Sequence, residues 1–250
     1  MTCPYRSDAL SGKNHLGTNW LSRGWLGIFP FLILVSYCLL SLTSFFLADQ
    51  RELINNFEDD SYYYFTIARH LAEEGNLTFD GHTLANGYHP LWMGVVIPFF
   101  MVFDDPILVL RAVGIFSTLA AFLTGALSLR YLSTHFSLLA TFLGASLLLA
   151  CLIAFGSTGM ETTILLPLIV VALVYLDRIK PWSSLKPANR DALWLGSILA
   201  LVQLARLDAV LLSFTILACL VLTIPHRPKS GSSFSCLPCH LLSPGSATWR

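Results

Sequence analysis

The sequence predicts an all-α membrane protein: a polytopic bundle of about six to seven transmembrane helices with an outer interfacial loop bearing an amphipathic helix. Three observations carry that prediction. The 250 residues are 55% hydrophobic with a mean hydropathy of +0.66. Only 12% are charged, where a soluble domain carries about a quarter. The charges that remain are gathered into a few polar segments that separate long apolar runs. With 15 basic and 15 acidic residues, no net charge favours nucleic acid, and none is expected as a partner.

The first 24 residues form a polar leader, and an apolar run follows over residues 25–48. That run exceeds the ~7–15 apolar residues of a signal peptide and is long enough to cross a ~30 Å hydrocarbon core. It reads as an uncleaved transmembrane helix. A polar segment covers 49–88, and further apolar runs fall at 90–103, 107–132, 136–155, 162–176, 192–207 and 209–224. The transmembrane domain is thus expected over 25–224, with an outer acidic loop at 49–89 and a polar, disordered tail at 225–250. Six cysteines scattered between apolar runs and termini do not form a disulfide framework.

Charge placement sets the expected orientation. Arg6, Lys13 and Arg23 precede the first run against the single acid Asp8. Arg178, Lys180, Lys186 and Arg190 share one later loop, and His226, Arg227 and Lys229 open the tail. All three segments should be cytoplasmic by the positive-inside bias, with the N-terminus inside. The chain must then cross an odd number of times between the first helix and the basic loop, yet four runs lie in that interval. The weakest is 90–103, short and interrupted by Pro98, which suits a re-entrant segment. On that parity "GSTGMET" (156–162) and "ARLD" (205–208) share the outer face with the acidic loop.

The outer loop has structure of its own. Asp60 or Asp59 can N-cap a helix running to about Glu74, with Gly75 as its C′ residue. Tyr64, Ile67, Ala68 and Leu71 repeat at helical spacing, an apolar stripe suited to the bilayer surface. Asp80-Gly81 and Asn86-Gly87 are turn dipeptides.

Three groups of residues can carry chemistry. Glu58, Asp59 and Asp60 supply three carboxylates where a cap needs one, and a carboxylate at a membrane interface is a candidate general base. In "ANGYHPLW" (85–92), Tyr88, His89 and Trp92 suit either headgroup anchoring or substrate contact. Arg111, Glu161, Arg206 and Asp208 are ionisable residues in or beside apolar runs, where such groups pair structurally or mark a site. The tail pattern Cys236-Leu237-Pro238-Cys239-His240 spells a haem-attachment motif, but no domain surrounds it and no haem is expected. Asn76-Leu77-Thr78 is a formal glycosylation sequon, relevant only in a eukaryotic host.

The acid pair after the first apolar run, the aromatic segment and "GYHPLW" leading back into the membrane resemble the GT-C superfamily of multi-spanning glycosyltransferases. Protein O-mannosyltransferases and lipid A aminoarabinose transferases belong to it. Asp59 and Asp60 match its acid pair, Tyr62 or Tyr63 its following aromatic, and His89-Pro90 its His-Pro step. Arg111 resembles the arginine that opens the next helix, while "GMET" and "ARLD" look like later acidic motifs. Members usually continue through more helices, so this chain looks like a C-terminally truncated bacterial one, which implies a place in the bacterial inner membrane.

The resemblance implies inverting transfer of a sugar from a polyprenyl-phosphate carrier to a glycan, lipid or protein acceptor on the outer face. Asp59 and Asp60 would be catalytic, with Asp59 the general base. His89, Tyr63, Arg111, Glu161, Arg206 and Asp208 would contact substrate. A divalent cation is used by some members only; Asp60 and Glu58 are the candidate ligands here. The alternative readings are a polytopic transporter, which usually shows internal repeats that are not evident here, or an inactive lipid-binding fragment.

Overall fold

The structure, a computed structural model, describes residues 25–155, 159–180 and 189–223. The predicted leader, Lys186 and the tail with its cysteine motif lie outside them. Among the described residues the chain is helical, with one isolated antiparallel bridge, Thr78 to Leu84. In order the helices are α1 (Trp25–Leu47), α2 (Gln50–Asn55), α3 (Asp59–Glu74), α4 (Pro90–Val102), α5 (Pro106–His135), α6 (Leu138–Phe155), α7 (Thr162–Ile179), α8 (Asn189–Ala205) and α9 (Val210–Thr223), with a 3-10 turn at Leu207–Ala209.

Among the described residues three helices are long and apolar enough to cross a membrane: Ile28–Leu47 within α1, then α5 and α7. In hydrocarbon every backbone N–H and C=O must be satisfied within the segment, and an uninterrupted helix does this. The apolar helices α4 and α9 are shorter, at 13 and 14 residues, or about 20 Å each at ~1.5 Å per residue.

Helix directions follow from the side-chain contacts. Gly114 of α5 faces Phe45 of α1, and Gly125 faces Leu34, so α1 and α5 run antiparallel. A Cβ on Gly125 would meet the Leu34 side chain at 2.7 Å, so glycine is what lets the two helices approach. Thr163 donates to Ser117 at 3.5 Å, and His135 meets Asp177 at 3.0 Å at the far end, so α5 and α7 run parallel. Tyr175 donates to Asp191 at 3.2 Å while Arg206 lies 3.6 Å from Glu161, which makes α7 and α8 an antiparallel pair.

One end of the bundle therefore gathers the exit of α1, the α2–α4 region, the starts of α5 and α7 and the end of α8. The short helix α4 both begins and ends there: His89 at its start lies against Glu161, and Asp105 just beyond it caps α5. "GMET" and "ARLD" are at the same end as the acidic loop.

The loop region is built by local hydrogen bonds. Asp49 caps α2 by accepting from Glu52 N at 2.8 Å, and Asp105 caps α5 by accepting from Ile107 N at 2.9 Å. Asp80 accepts from His82 N, Thr83 N and the Thr83 hydroxyl, holding the turn that Gly81 completes. These three donors hold the Asp80 carboxyl well below the usual carboxylate range.

Two expectations change. The N-cap of α3 is Glu58, which makes no side-chain capping bond, and Asp59 and Asp60 occupy the first turn instead. The apolar stripe of α3 faces protein where a bilayer surface was expected. Tyr64, Ile67 and Ala68 are buried in one core with Trp92, Met93 and Val96 of α4. The physical reason is that α4 presents a complementary apolar face and α3 docks on it. Gly75 ends α3 in the left-handed conformation expected of it (φ 73°).

Arg111 is a structural clamp. It donates to the carbonyls of Phe45 (3.0 Å), Phe46 and Ala48 (2.9 Å), satisfying the last turn of α1 with a positive charge at its negative dipole end. Arg111→Leu should lower unfolding stability by about 1.5–3 kcal/mol, the value of hydrogen bonds to a charged group. Arg111→Lys should recover only part, because an ammonium cannot reproduce the planar fork. Unfolding in mixed detergent micelles checks both.

Candidate functional site

The site is assembled around one buried carboxylate. Glu161 is the residue immediately before α7 and is 3% exposed. Its Oε2 accepts from the Tyr64 hydroxyl at 3.3 Å. Its Oε1 lies 3.6 Å from His89 Nε2 and 3.6 Å from Arg206 Nη1. Arg206 in turn donates through Nε to Asp208 at 3.0 Å. Residues that are 97 positions apart in sequence thus meet in a single cluster.

Each side chain is delivered by a definable local feature. Tyr64 sits one turn into α3, on its buried face. His89 is held extended as the N-cap of α4, because the following Pro90 disfavours helical backbone before it. Its ring stacks on Tyr64 with centroids 6.3 Å apart. Arg206 takes extended backbone between α8 and the 3-10 turn. That break in the helix lets Arg206 and Asp208, two residues apart, point at each other, which one helical face would not allow.

Gly159 sets the position of Glu161. It has φ +84°, and a Cβ there would meet Phe57 at 2.7 Å, the Ser61 hydroxyl at 2.9 Å and Phe65 at 3.0 Å. Its carbonyl accepts from the buried Trp92 indole at 3.0 Å. The turn is thus pressed onto α3 and tied to α4, two residues before the carboxylate.

The electrostatics follow from burial. Desolvation first, then the Glu161 charge and hydrogen bond, raise the Tyr64 phenol well above its ordinary value, so it serves Glu161 as a donor. Tyr62 is raised by burial and by the nearby Asp59 charge, and its hydroxyl donates to Ile54 O at 2.8 Å. The buried His89 Nδ1 has no partner among the described residues.

Of the residues singled out from sequence, His89, Glu161, Arg206 and Asp208 come together, while Arg111 serves α1. The Tyr63 ring packs at a tilt against Phe79, centroids 5.1 Å apart, and abuts Gly87, pinning the outer loop. Asp59 and Asp60 are exposed in the first turn of α3, one turn from Tyr64, and neither forms a hydrogen bond or ion pair among the described residues. No group of three or more metal-ligating side chains forms among the described residues, and Glu58 and Asp60 join none.

Tyr64, Trp92 and Gly159 escaped notice as site residues. Tyr64 was absorbed into an apolar stripe and Trp92 read equally well as a headgroup anchor. Only the glycine two places before an acid at the start of an apolar run hinted at a shaped turn. Comparison with protein-family models, with curated proteins and with solved structures gave no match.

Gly159→Ala should destabilise the fold by about 1–3 kcal/mol through backbone strain and overlap with α3. Chemical unfolding in bicelles measures it, and an effect within error would show that the turn is not pressed against α3.

The Tyr64 shift sets a pH window. Its folded value is raised, so the stability it contributes is complete below the unfolded phenol value of about 10. That stability is lost as pH rises beyond it. Ultraviolet titration should show the latest-ionising tyrosine missing in Tyr64→Phe, together with a shallower alkaline loss of stability in that variant.

Proposed function

We propose that the protein is a membrane glycosyltransferase that moves a sugar from a polyprenyl-phosphate donor to an acceptor at the acidic end of the bundle, on the outer face of the membrane. The observation that carries this reading is the buried Glu161 cluster lying one helical turn from two unpartnered carboxylates, Asp59 and Asp60. Carboxylates at a helix N-terminus that engage no donor leave their oxygens open to a substrate hydroxyl.

In this reading Asp59 takes the proton from the acceptor hydroxyl as it attacks the anomeric carbon from the face opposite the phosphate, giving inversion. Asp60 assists beside it. The leaving phosphate is met by donors at the rim of the cluster, Arg206 and His89, whose side chains are 40% and 23% exposed. Glu161 and Asp208 hold Arg206 in place. Arg111 is already bonded to three α1 carbonyls and takes no part. Tyr63 shapes the loop over the site through Phe79. Six to seven spans, with α4 re-entrant, and a cytoplasmic N-terminus belong to the same proposal.

The test is transfer of labelled sugar from a polyprenyl-phosphate donor in proteoliposomes supplied with cell-envelope acceptors. Asp59→Asn should lower turnover by about 10²–10⁴-fold, the usual contribution of a general base, with membrane insertion unchanged. Full activity in that variant would remove Asp59 as the base. Solute movement without any transfer by the wild-type chain would replace the enzyme with a transporter.

A further inference from the structure

A cavity of ≈ 50 Å³ lies between α1, α5 and α7, with one wall completed by Leu152 of α6. Its lining is unusual for the interior of an apolar bundle, because hydroxyls dominate it. Tyr37 and Ser41 face it from α1, Ser117, Thr118 and Thr124 from α5, and Thr163 from α7. The residue beside Glu161, Thr162, also borders it.

The hydroxyls divide into two kinds. Thr118 and Thr124 donate to carbonyls within their own helix, at 3.0 Å to Gly114 O and 2.8 Å to Ala120 O, and keep their oxygen lone pairs toward further donors. Tyr37 and Ser41 form no hydrogen bond among the described residues. Thr163 and Ser117 meet only at the long distance of 3.5 Å. Hydroxyls left without partners inside membrane-spanning helices are expensive, since neither lipid nor apolar side chains can satisfy them. No charged side chain lines the space, so a small neutral molecule that both donates and accepts matches it.

We infer that this cavity is a site for a cluster of ordered water within the membrane-spanning part of the bundle. A volume of ≈ 50 Å³ holds roughly three to five water molecules at the 10–15 Å³ each requires. It does not admit a sugar ring. Tyr37 and Ser41 donate to the cluster, the Thr118 and Thr124 oxygens accept from it, and water adds to the long direct hydrogen bond between Thr163 and Ser117. Such bridges add to the direct contacts that join α1, α5 and α7. The inference is independent of the glycosyltransferase reading, since it rests on lining and volume alone.

Water-edited solid-state NMR on the full chain in lipid bilayers tests it, with bulk water as the probe. Magnetisation from water should reach the methyls of Thr118, Thr124 and Thr163, and should not reach those of the fully buried Leu34 and Val202. Ala121 also lines the space, so Ala121→Leu should fill it and abolish transfer to the three threonines. Tyr37→Phe removes a hydroxyl without adding bulk and should weaken transfer while leaving the fold intact. Threonine methyls as dry as Leu34 in the wild type would overturn the inference. So would transfer that persists undiminished in both variants.

Discussion

Removing a carboxylate from water near the boundary of an apolar bundle costs several kcal/mol unless charge and hydrogen bonds replace the lost hydration. Glu161 is that carboxylate, and much of the architecture is arranged to meet its requirement. The replacement partners come from three elements besides its own: Tyr64 from α3, His89 from the start of α4 and Arg206 from the end of α8. None is near Glu161 in sequence, so the acid is compensated only once α3, α4 and α8 have docked on α7. The Gly159 turn and the Trp92 indole make that docking possible, because a side chain at 159 would hold the turn away from α3.

A second constraint acts on the whole molecule. The chain has no net charge, yet residues 49–105 carry ten acids against two arginines. The opposite end of the bundle carries Arg130, Arg178, Lys180 and Arg190 against Asp177 and Asp191. This separation agrees with the helix dipoles as well as with the orientation that the positive-inside bias predicts. Both α3 and α5 begin at the acidic end, where Asp59, Asp60 and Asp105 meet positive N-termini. At the other end α5 and α7 finish, where His135, Arg178 and Lys180 meet negative C-termini. One distribution of charge satisfies two requirements.

The helices were legible in the sequence because apolar runs and cap residues are local signals. Pro106 after Asp105 marks the start of α5, and Gly75 marks the end of α3. The short 90–103 run was legible as a weaker apolar segment, and α4 is an apolar helix of 13 residues, shorter than the three long enough to cross. Partner choice was not legible. Arg111 and Arg206 look alike in sequence, each an arginine near the end of an apolar run. One closes the C-terminus of α1 and the other meets a buried acid, and only three-dimensional proximity separates the two. Trp92 carries the same ambiguity, since an indole suits a headgroup layer or a core with one acceptor, and the Gly159 carbonyl decides it.

The acids themselves separate by what folding asks of them. Asp49, Asp80 and Asp105 accept backbone hydrogen bonds, while Asp177, Asp191 and Asp208 meet a histidine, a tyrosine and an arginine. Each is accounted for by the local structure it stabilises. Glu73, Glu74 and Asp104 are exposed and engage no donor among the described residues, and the first turn of α3 joins them with a difference of density: Glu58 at the cap makes no capping bond, and Asp59 and Asp60 lie directly behind it without a donor. Three adjacent carboxylates repel one another, and the helix dipole offsets that only in part. An adjacent trio of this kind is no better as a helix start than a single serine or aspartate would be. Local stability does not account for the trio, which places three carboxylates at the start of the helix whose Tyr64 donates to Glu161.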